Sequence, residues 1–259
     1  MNTAGQRRGE DPYPSYFDLL SDLHRRLQPR TYLEIGVHEG DSMSLVGQTT
    51  RILGVDPEPR IAEMDHPDWT VVAERSESLF REHDVPALLG GPLDLAFVDG
   101  LHLFEVALAD VLALERLAHP GSVVLVHDVL PMNAETSGRE RTTVFWSGDV
   151  WKVVVALRRH RRDLSVTTLD VGPTGMAVIT GFGSRSGGDP GGGADYEPWF
   201  EEVVSDLLPA DYQDLLAMGL TEALGVVPGT PDSLERCLAD RGELSLPGPD
   251  RRARPAPRP

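Results

Sequence analysis

Short apolar runs alternate with amphipathic stretches along most of the chain. The runs are typical of buried strands, and they cover residues 31–35, 51–56, 70–73, 93–99 and 122–128. Their starts recur about every 20 to 30 residues, with helical patterns between most of them. This alternation of strand and helix patterns is typical of βαβ units and predicts a parallel sheet that is covered on both faces.

Apolar residues at helical spacing fill several segments between the strands. Residues 15–27 predict a helix with Ser15 as its N-cap. Similar patterns predict helices over residues 41–49, 104–118 and 149–162. Residues 164–170 and 175–182 flank a Gly-Pro turn and predict a hairpin of two strands. We therefore expect a doubly wound, Rossmann-like α/β fold with a mostly parallel, seven-stranded sheet and an antiparallel edge hairpin.

The segments outside residues 15–182 differ in composition from this predicted α/β domain. Residues 1–14 are polar and contain several Pro and Gly residues, which predicts a flexible N-terminus. A Gly-rich stretch over 183–195 predicts a linker, and an Arg- and Pro-rich stretch over 243–259 predicts a disordered tail. Between them, residues 196–242 return to helical spacing and predict a helical C-terminal appendage.

The charge and cysteine content exclude some classes of partner and site. Asp and Glu outnumber Lys and Arg by 41 to 24, which gives a formal net charge of -17. Such an acidic protein repels phosphate backbones, so we expect no nucleic-acid partner. The single cysteine, Cys237, excludes an internal disulfide and suits a reducing compartment. Because no apolar stretch has the length of a membrane span, we expect a cytoplasmic protein with no membrane partner.

A turn with two glycines follows the first predicted strand. Glu34 lies at the end of the apolar run, and Gly36 and Gly40 follow it in G-x-x-x-G spacing. Glycine is favoured where a ligand approaches the backbone closely, and the N–H groups of a following helix would point at that ligand. His38 stands where a dinucleotide fingerprint requires its middle glycine, which disfavours an NAD-dependent oxidoreductase. An ordinary strand-to-helix turn is the alternative.

Four acids lie at or near the ends of predicted strands, namely Glu34, Asp56, Asp99 and Asp128. The carboxyl ends of parallel strands meet at one edge of the sheet, which is where α/β proteins bind their ligands. The sequence therefore predicts a ligand site that contains these acids.

Two sets of motifs resemble those of a known family. The acid followed by G-x-x-x-G over residues 34–40 resembles the first motif of class I S-adenosylmethionine (SAM) methyltransferases. The motif D-G-x-H at 99–102 and the pair His-Asp at 127–128 resemble bacterial small-molecule O-methyltransferases. That group includes Mg²⁺-dependent sugar methyltransferases of antibiotic pathways and relatives among cephalosporin-modifying proteins. The resemblance extends over about residues 32–182.

The resemblance implies that SAM binds at the ends of the predicted strands. The residues that it assigns to the cofactor are Glu34, Gly36, Gly40, Asp56, Ser76 and Asp99. Asp56 would accept hydrogen bonds from the ribose hydroxyls, and Ser76 would contact the adenine. The alternatives are a turn residue before Pro57 for Asp56 and a helix cap for Ser76.

The resemblance also implies a catalytic site with a metal ion at the fourth and fifth strands. Asp99 and Asp128 match acids that ligate Mg²⁺, which prefers oxygen ligands, and His102 matches the general base. With an unperturbed pKa of about 6.5, histidine accepts a proton at neutral pH. The implied reaction, in which Asp99 and His102 are the catalytic residues, transfers a methyl group from SAM to a hydroxyl of a small molecule. A sugar or another secondary metabolite is the expected acceptor.

His127 departs from the pattern of the sugar enzymes, which carry an acid at this position. Because histidine is a poor ligand for Mg²⁺, a metal-independent enzyme stays an alternative, as does a methyltransferase with an amine acceptor. A SAM-binding partner protein without catalytic activity is an alternative of another class. The sequence leaves open whether the chain forms a homo-oligomer.

The segment after the fifth predicted strand contains further candidates for contact with the acceptor. Trp146, Asp149 and Lys152 could reach the acceptor from this segment, and an N-capping Asp149 is the alternative. Arg139 and Arg141 would suit the pyrophosphate of a nucleotide-sugar, because arginine forks match phosphate oxygens.

Overall fold

The computed structural model describes residues 10–61, 63–183, 199–239 and 241 of the chain. These residues form one sheet of eight strands with helices on both faces. The strands are β1 (Thr31–Ile35), β2 (Arg51–Val55), β3 (Trp69–Val72), β4 (Leu93–Val98), β5 (Ala118–His127), β6 (Ser165–Asp170), β7 (Met176–Thr180) and β8 (Val226–Pro228). Their order across the sheet is β3-β2-β1-β4-β5-β7-β6-β8.

The first five strands of the sheet are parallel, and β7 is antiparallel to both of its neighbours, β5 and β6. This arrangement confirms the predicted Rossmann-like α/β fold with a mostly parallel sheet and an antiparallel hairpin. The predicted number of seven strands is wrong, because β8 pairs with β6 as an eighth strand. Its three residues are too few to show the alternation by which a strand is recognised in a sequence.

Nine α-helices lie in the described ranges, and none of them is both long and apolar enough to cross a membrane. They are α1 (Tyr16–Leu27), α2 (Ser76–Glu82), α3 (Val85–Leu89), α4 (Phe104–Glu115), α5 (Trp151–His160), α6 (Trp199–Leu207), α7 (Tyr212–Ala217), α8 (Leu220–Leu224) and α9 (Pro231–Ala239). The side chain of Ser15 accepts a hydrogen bond from the backbone N–H of Asp18, which confirms Ser15 as the N-cap of α1.

The helix predicted over residues 41–49 is wrong, because only one turn of 3-10 helix, Met43–Leu45, forms there. Glycine disfavours a helix, and Gly40 and Gly47 bracket this turn. The hydroxyl of Ser42 donates a hydrogen bond of 2.5 Å to Glu34, so the segment turns inward instead of extending as a helix. In this described stretch, therefore, a compact loop follows β1.

Side chains of the central strands alternate between two hydrophobic layers. Leu33 and Ile35 of β1 pack in the layer that includes α4 and α5, whereas Tyr32 packs in the opposite layer with α1. Both layers exclude water from the sheet, as expected for parallel strands. The strand ends are therefore held in fixed positions relative to one another.

The C-terminal helices also pack on this sheet. Leu207 of α6 and Leu224 of α8 belong to the first layer, and Leu234 of α9 belongs to the second. The segment over residues 199–239 thus contributes a strand and four helices to the fold. Residues 1–9, 184–198 and 242–259, which include most of the predicted N-terminus, linker and tail, lie outside the described residues. The division into domains stays a prediction.

Candidate active site

A cavity of about 710 Å³ opens at the edge of the sheet where the parallel strands end. Its wall contains residues that follow β1, β2, β3, β4 and β5, with further side chains from α1 and from the loop between β5 and α5. Small-molecule sites typically occupy roughly 300–1,000 Å³, so the cavity has the size of such a site. It lies at the edge where the sequence predicts one.

The residues that the sequence assigns to the site fall into two groups. Those that line the cavity are Gly36, Asp56, Ser76, Asp99, His102 and Asp128. Glu34 and Gly40 are outside this lining and lie in the structure that supports the turn after β1.

Gly36 brings the end of β1 close to the end of β4. Its φ of +88° lies in the left-handed region, and a Cβ atom at this position would lie 2.1 Å from the carbonyl oxygen of Asp99. A side chain here would therefore push the two strand ends apart. The glycine that the motif requires is thus explained by backbone packing beneath the cavity as well as by access for a ligand.

Glu34 lies buried under the same turn and accepts two hydrogen bonds. Tyr32 donates through its phenolic hydroxyl at 2.6 Å, and Ser42 donates through Oγ at 2.5 Å. Burial raises the pKa of Glu34 to about 8 in spite of these hydrogen bonds. In this position the carboxyl group holds the loop after β1 in place.

Asp56 lies on the cavity wall directly after β2. Its Oδ2 accepts a hydrogen bond of 2.9 Å from the backbone N–H of His38, and its Oδ1 accepts one of 2.7 Å from the N–H of Glu58. These bonds fix the orientation of the carboxylate. Each oxygen of a carboxylate accepts about two hydrogen bonds, so both oxygens can still bind neighbouring hydroxyls of a ligand.

Ser76 begins α2 and also lines the cavity. Its side chain forms a hydrogen bond with Asp110, a buried acid of α4. Burial raises the pKa of Asp110 to about 7, although the bond from Ser76 acts in the opposite direction. The sequence gives no signal for this pair, because an isolated acid in an apolar helix predicts only a polar position.

Asp99, His102 and Asp128 meet on the wall at the ends of β4 and β5. Nε2 of His102 lies 3.4 Å from Oδ1 of Asp99 and 3.2 Å from Oδ2 of Asp128. One potential ligand atom from each of the three residues lies within 4.8 Å of the others. We call these three residues the Asp-His-Asp cluster, and β4 and β5 bring its acids together because they are adjacent and parallel.

A main-chain contact orients the His102 ring within the Asp-His-Asp cluster. Nδ1 of His102 lies 2.7 Å from the carbonyl oxygen of Trp146, and the two rings stack with their centres 5.1 Å apart. Because a carbonyl oxygen only accepts, Nδ1 carries the proton and the lone pair of a neutral ring is on Nε2. Burial lowers the pKa of His102, but the hydrogen bond with Asp99 and the charge of Asp128 raise it above the ordinary value.

His127, at the end of β5, lies against both acids of the cluster. Its Nδ1 is 3.2 Å from Oδ1 of Asp99 and 3.3 Å from Oδ2 of Asp128. Burial opposes the charged ring, yet the charge of Asp99 and the contact with Asp128 raise the pKa of His127 to about 10. In turn, His127 and His102 hold the pKa of Asp99 below its ordinary value despite burial. The two carboxylates of the cluster are therefore in contact with two imidazoles, those of His102 and His127.

Tyr16, on the cavity wall, is a residue that the sequence analysis missed. Its ring centre lies 4.3 Å from that of His127. Burial raises the pKa of its phenol, and the charges of Asp99 and Asp128 raise it further. No local pattern reveals this placement, because α1 and β5 are distant in sequence and meet only through the fold.

Asp149 and Lys152 anchor the loop between β5 and α5 rather than lining the cavity. Asp149 accepts hydrogen bonds from the N–H of Phe104 at 2.8 Å, from Arg139 at 2.7 Å and from Lys152 at 3.0 Å. It caps α4 rather than its own helix, since the bonded N–H belongs to the first residue of α4. Arg141 and Trp146, by contrast, do line the cavity.

The sequence of residues 33–129 matches a family model that is described as a methyltransferase domain. The matched segment extends from β1 to just beyond β5 and includes Asp56 and the Asp-His-Asp cluster. Among curated proteins, no sequence matches the chain significantly.

Several solved structures are similar to this chain. Rv0187 from MTB, solved with its cofactor bound, has 21% sequence identity and a TM-score of 0.51 over 69% of this chain and 83% of that chain. TomG from Streptomyces achromogenes, an O-methyltransferase involved in tomaymycin synthesis and solved with SAM, has 21% identity and a TM-score of 0.46 over 65% and 80%. An O-methyltransferase from Bacillus cereus, solved with S-adenosylhomocysteine (SAH), has 17% identity and a TM-score of 0.46 over 66% and 83%.

The family match and the fold agree on the same part of the molecule. The matched segment contains the five parallel strands whose ends line the cavity. Rv0187 shares this fold. Residues 33–129 are therefore similar to a methyltransferase domain, and they lie in a fold that is shared with Rv0187.

Proposed function

We propose that this protein is a class I SAM-dependent methyltransferase that transfers the methyl group of SAM to a hydroxyl group of a small molecule, with His102 as the general base. The observation that carries the proposal is that one cavity contains both Asp56 and the Asp-His-Asp cluster. An acid suited to a ribose and a proton acceptor suited to a hydroxyl thus face the same space.

The cofactor would lie along the ends of the first three strands. Asp56 offers one lone pair on each oxygen to the two ribose hydroxyls, because backbone N–H groups already fix the carboxylate. Gly36 leaves the main chain accessible beside it, and Ser76 lies on the wall next to β3 for contact with the adenine. We propose that Glu34 and Gly40 act indirectly, by holding the loop after β1.

The acceptor would bind beside the Asp-His-Asp cluster. Its oxygen attacks the methyl carbon of SAM, so the O–CH₃ bond forms as the S–CH₃ bond breaks and SAH leaves. In its neutral form the ring of His102 takes the proton of the hydroxyl on Nε2, because Trp146 holds Nδ1 as the donor and the lone pair of the neutral ring is then on Nε2. Asp99 and Asp128 stabilise the positive charge that forms on the ring.

A divalent cation such as Mg²⁺ fits the donors of the same cluster. Asp99 and Asp128 would hold it, because Mg²⁺ prefers carboxylate oxygens, and His102 would stay free to act as the base. When bound, such an ion lowers the pKa of a coordinated hydroxyl. By holding the ion, Asp99 and Asp128 would then orient the acceptor.

A metal-independent reaction is the second candidate, and the position of His127 favours it. The Nδ1 atom of His127 lies within 3.3 Å of both Asp99 and Asp128, so the charged ring of His127 offsets part of the negative charge of the two carboxylates without an ion. His102 would act as the base in both versions.

The proposal extends to the partners of the enzyme. We propose a small-molecule acceptor, such as a sugar or another secondary metabolite. The net charge of -17 supports an enzyme without a nucleic-acid partner. We further propose that it acts in the cytoplasm, without a membrane partner.

Conversion of SAM to SAH by the purified full chain, in the presence of a panel of hydroxylated acceptors, tests the proposal. Calorimetry with SAM and SAH, without an acceptor, tests the cofactor site separately. We expect SAM to bind and at least one acceptor to be methylated on oxygen. Tight binding of SAM without turnover on any acceptor would favour a non-catalytic SAM-binding protein, and the absence of SAM binding would refute the proposal as a whole.

A further inference from the structure

We propose that the acceptor is an apolar ring compound that carries a hydroxyl group and a single carboxylate, and that Arg141 binds this carboxylate. The inference rests on the proposed function, because it concerns the acceptor end of the same cavity. It depends on two observations. The mouth of the cavity is apolar, and Arg139 is paired with carboxylates whereas the described contact of Arg141 is with a backbone carbonyl.

The mouth of the cavity exposes large apolar side chains. Leu101 and Phe145 are each 56% exposed, and Val144 is 83% exposed, and all three line the cavity. Six large hydrophobic residues are strongly exposed in the described ranges, so half of them are gathered at this opening. Clustered exposed apolar surface usually marks a binding site, because single exposed residues are scattered over most surfaces.

Aromatic faces continue this apolar surface into the cavity. Trp146 stacks on His102 with a centre-to-centre distance of 5.1 Å, and Tyr16 and Phe17 stack on each other at 4.2 Å. Flat aromatic surfaces favour a flat apolar ring between them. A ring compound bound there would have its hydroxyl next to Nε2 of His102.

Arg139 is already neutralised by carboxylates. It donates hydrogen bonds of 2.6 and 3.0 Å to Glu105 and of 2.7 Å to Asp149. Two carboxylates of the protein therefore pair with its guanidinium, and it anchors the loop between β5 and α5. This removes Arg139 from the pair of arginines that a pyrophosphate would require.

Arg141, two residues further on, has no such partner. Within the described residues its guanidinium makes one weak contact, 3.5 Å to the carbonyl oxygen of Val144, and it lies on the cavity wall. Arg75 also lines the cavity, but it precedes Ser76 at the end of the cavity assigned to the adenine. Arg141 is thus the cation available at the acceptor end of the cavity.

One arginine fork matches one carboxylate. A guanidinium donates two parallel hydrogen bonds to a carboxylate, which satisfies both groups. A more highly charged group would leave uncompensated negative charge near Asp99 and Asp128, in a protein whose net charge is -17. The structure therefore favours a monocarboxylate over the pyrophosphate that the two arginines indicate in the sequence.

Binding to the SAH-loaded full chain tests this inference with matched probes. The probes are protocatechuate and caffeate, each compared with its neutral carboxamide, and the proteins are wild type, Arg141→Gln and Arg162→Gln. Arg162 is an exposed arginine after α5 and serves as the control. We expect wild type and Arg162→Gln to bind at least one acid about tenfold more tightly than its amide, and Arg141→Gln to bind the two equally.

Each other outcome overturns the inference. An amide that binds wild type as tightly as its acid would remove the role of the carboxylate, as would the failure of both acids to bind. A loss of SAH affinity in Arg141→Gln would assign the arginine to the cofactor carboxylate instead. If wild type does not bind SAH at all, the proposed function itself fails, and calorimetry with SAH alone distinguishes that case.

Discussion

The carbonyl oxygen of Trp146 lies 2.7 Å from Nδ1 of His102, although the two residues are 44 positions apart in the sequence. This contact determines which ring nitrogen of His102 carries the proton. It also makes the loop between β5 and α5 part of the proposed catalytic site, because the loop supplies the carbonyl. Asp149 holds that loop against the N-terminus of α4, so His102 and the loop are positioned together.

Replacement of the base should affect turnover far more than cofactor binding. We expect His102→Gln to lower kcat by about a hundred- to ten-thousand-fold, because glutamine cannot accept the hydroxyl proton. The dissociation constant for SAH should change little, since His102 lies at the acceptor end of the cavity. Steady-state kinetics and calorimetry measure the two quantities. His83→Gln, at a histidine that contacts Glu74 away from the cavity, is the matched control.

Replacement of the predicted ribose ligand should have the opposite effect. We expect Asp56→Ala to weaken SAM binding by about 1.5–3 kcal/mol, or roughly 10- to 150-fold, because hydrogen bonds to a charged acceptor are lost. Calorimetry with SAM measures the change, and Asp65→Ala, at an exposed acid, serves as the control. An unchanged affinity in Asp56→Ala would remove this residue from the cofactor site.

Removal of divalent cations separates the two versions of the mechanism. If a metal ion takes part, a chelator should abolish methyl transfer by the wild type and added Mg²⁺ should restore it. Asp99→Asn and Asp128→Asn should then both lose activity that Mg²⁺ does not restore, because each loses a charged ligand. Full activity of the wild type in chelator would instead support the metal-independent reaction, in which His127 offsets part of the charge of the acids.

The turn after β1 should tolerate no side chain at Gly36. We expect Gly36→Ala to reduce the free energy of unfolding by more than about 2 kcal/mol, because the left-handed backbone and the contact with Asp99 both oppose a Cβ atom. Gly47→Ala is the control, since a Cβ atom there would meet only Thr50, at 3.9 Å. Denaturant unfolding measures both, and equal stabilities of the two variants would contradict the prediction.

The buried acid of α4 should make stability depend on pH. The pKa of Asp110 is raised to about 7, so between about pH 4 and pH 7 the unfolded chain loses a proton that the folded chain retains. Its contribution to stability is therefore present at low pH and is lost as the pH rises towards 7.

The variant Asp110→Asn should escape this loss. Its stability relative to the wild type should increase with pH by up to about 1.4 kcal/mol per pH unit across that range. Denaturant unfolding at several pH values measures this difference. Parallel pH profiles of the two proteins would show that Asp110 ionises in the folded state much as it does in the unfolded state.

The strand ends were predictable because buried strands leave a strong local signal. An apolar run that stops at an acid and a turn locates Asp56, Asp99 and Asp128 without any knowledge of the fold. Parallel pairing then requires that these ends lie at one edge, and the structure places all three on one cavity wall. The helix predicted over residues 41–49 does not form, because Ser42 bonds to Glu34. Helical periodicity in the sequence does not reveal such a contact.

Contacts between distant segments left no such signal. Tyr16 reaches the cavity because α1 packs across the sheet, and its ring lies 4.3 Å from that of His127. The two arginines of the loop after β5 look equivalent in the sequence, yet Glu105 and Asp149 neutralise Arg139 alone. Which side chain is free for a ligand depends on which partner is nearby, and that is a property of the folded chain.

The sequence by itself determined the α/β fold, the edge of the sheet at which the cavity opens and three of the acids that line it, because strand periodicity and turn residues act over a few positions. Only the tertiary structure decided the proton-bearing nitrogen of His102, the contact of His127 with both acids and the eighth strand of the sheet. These features depend on distances between groups that lie far apart in the chain. Such distances are fixed when the two hydrophobic layers pack on the sheet.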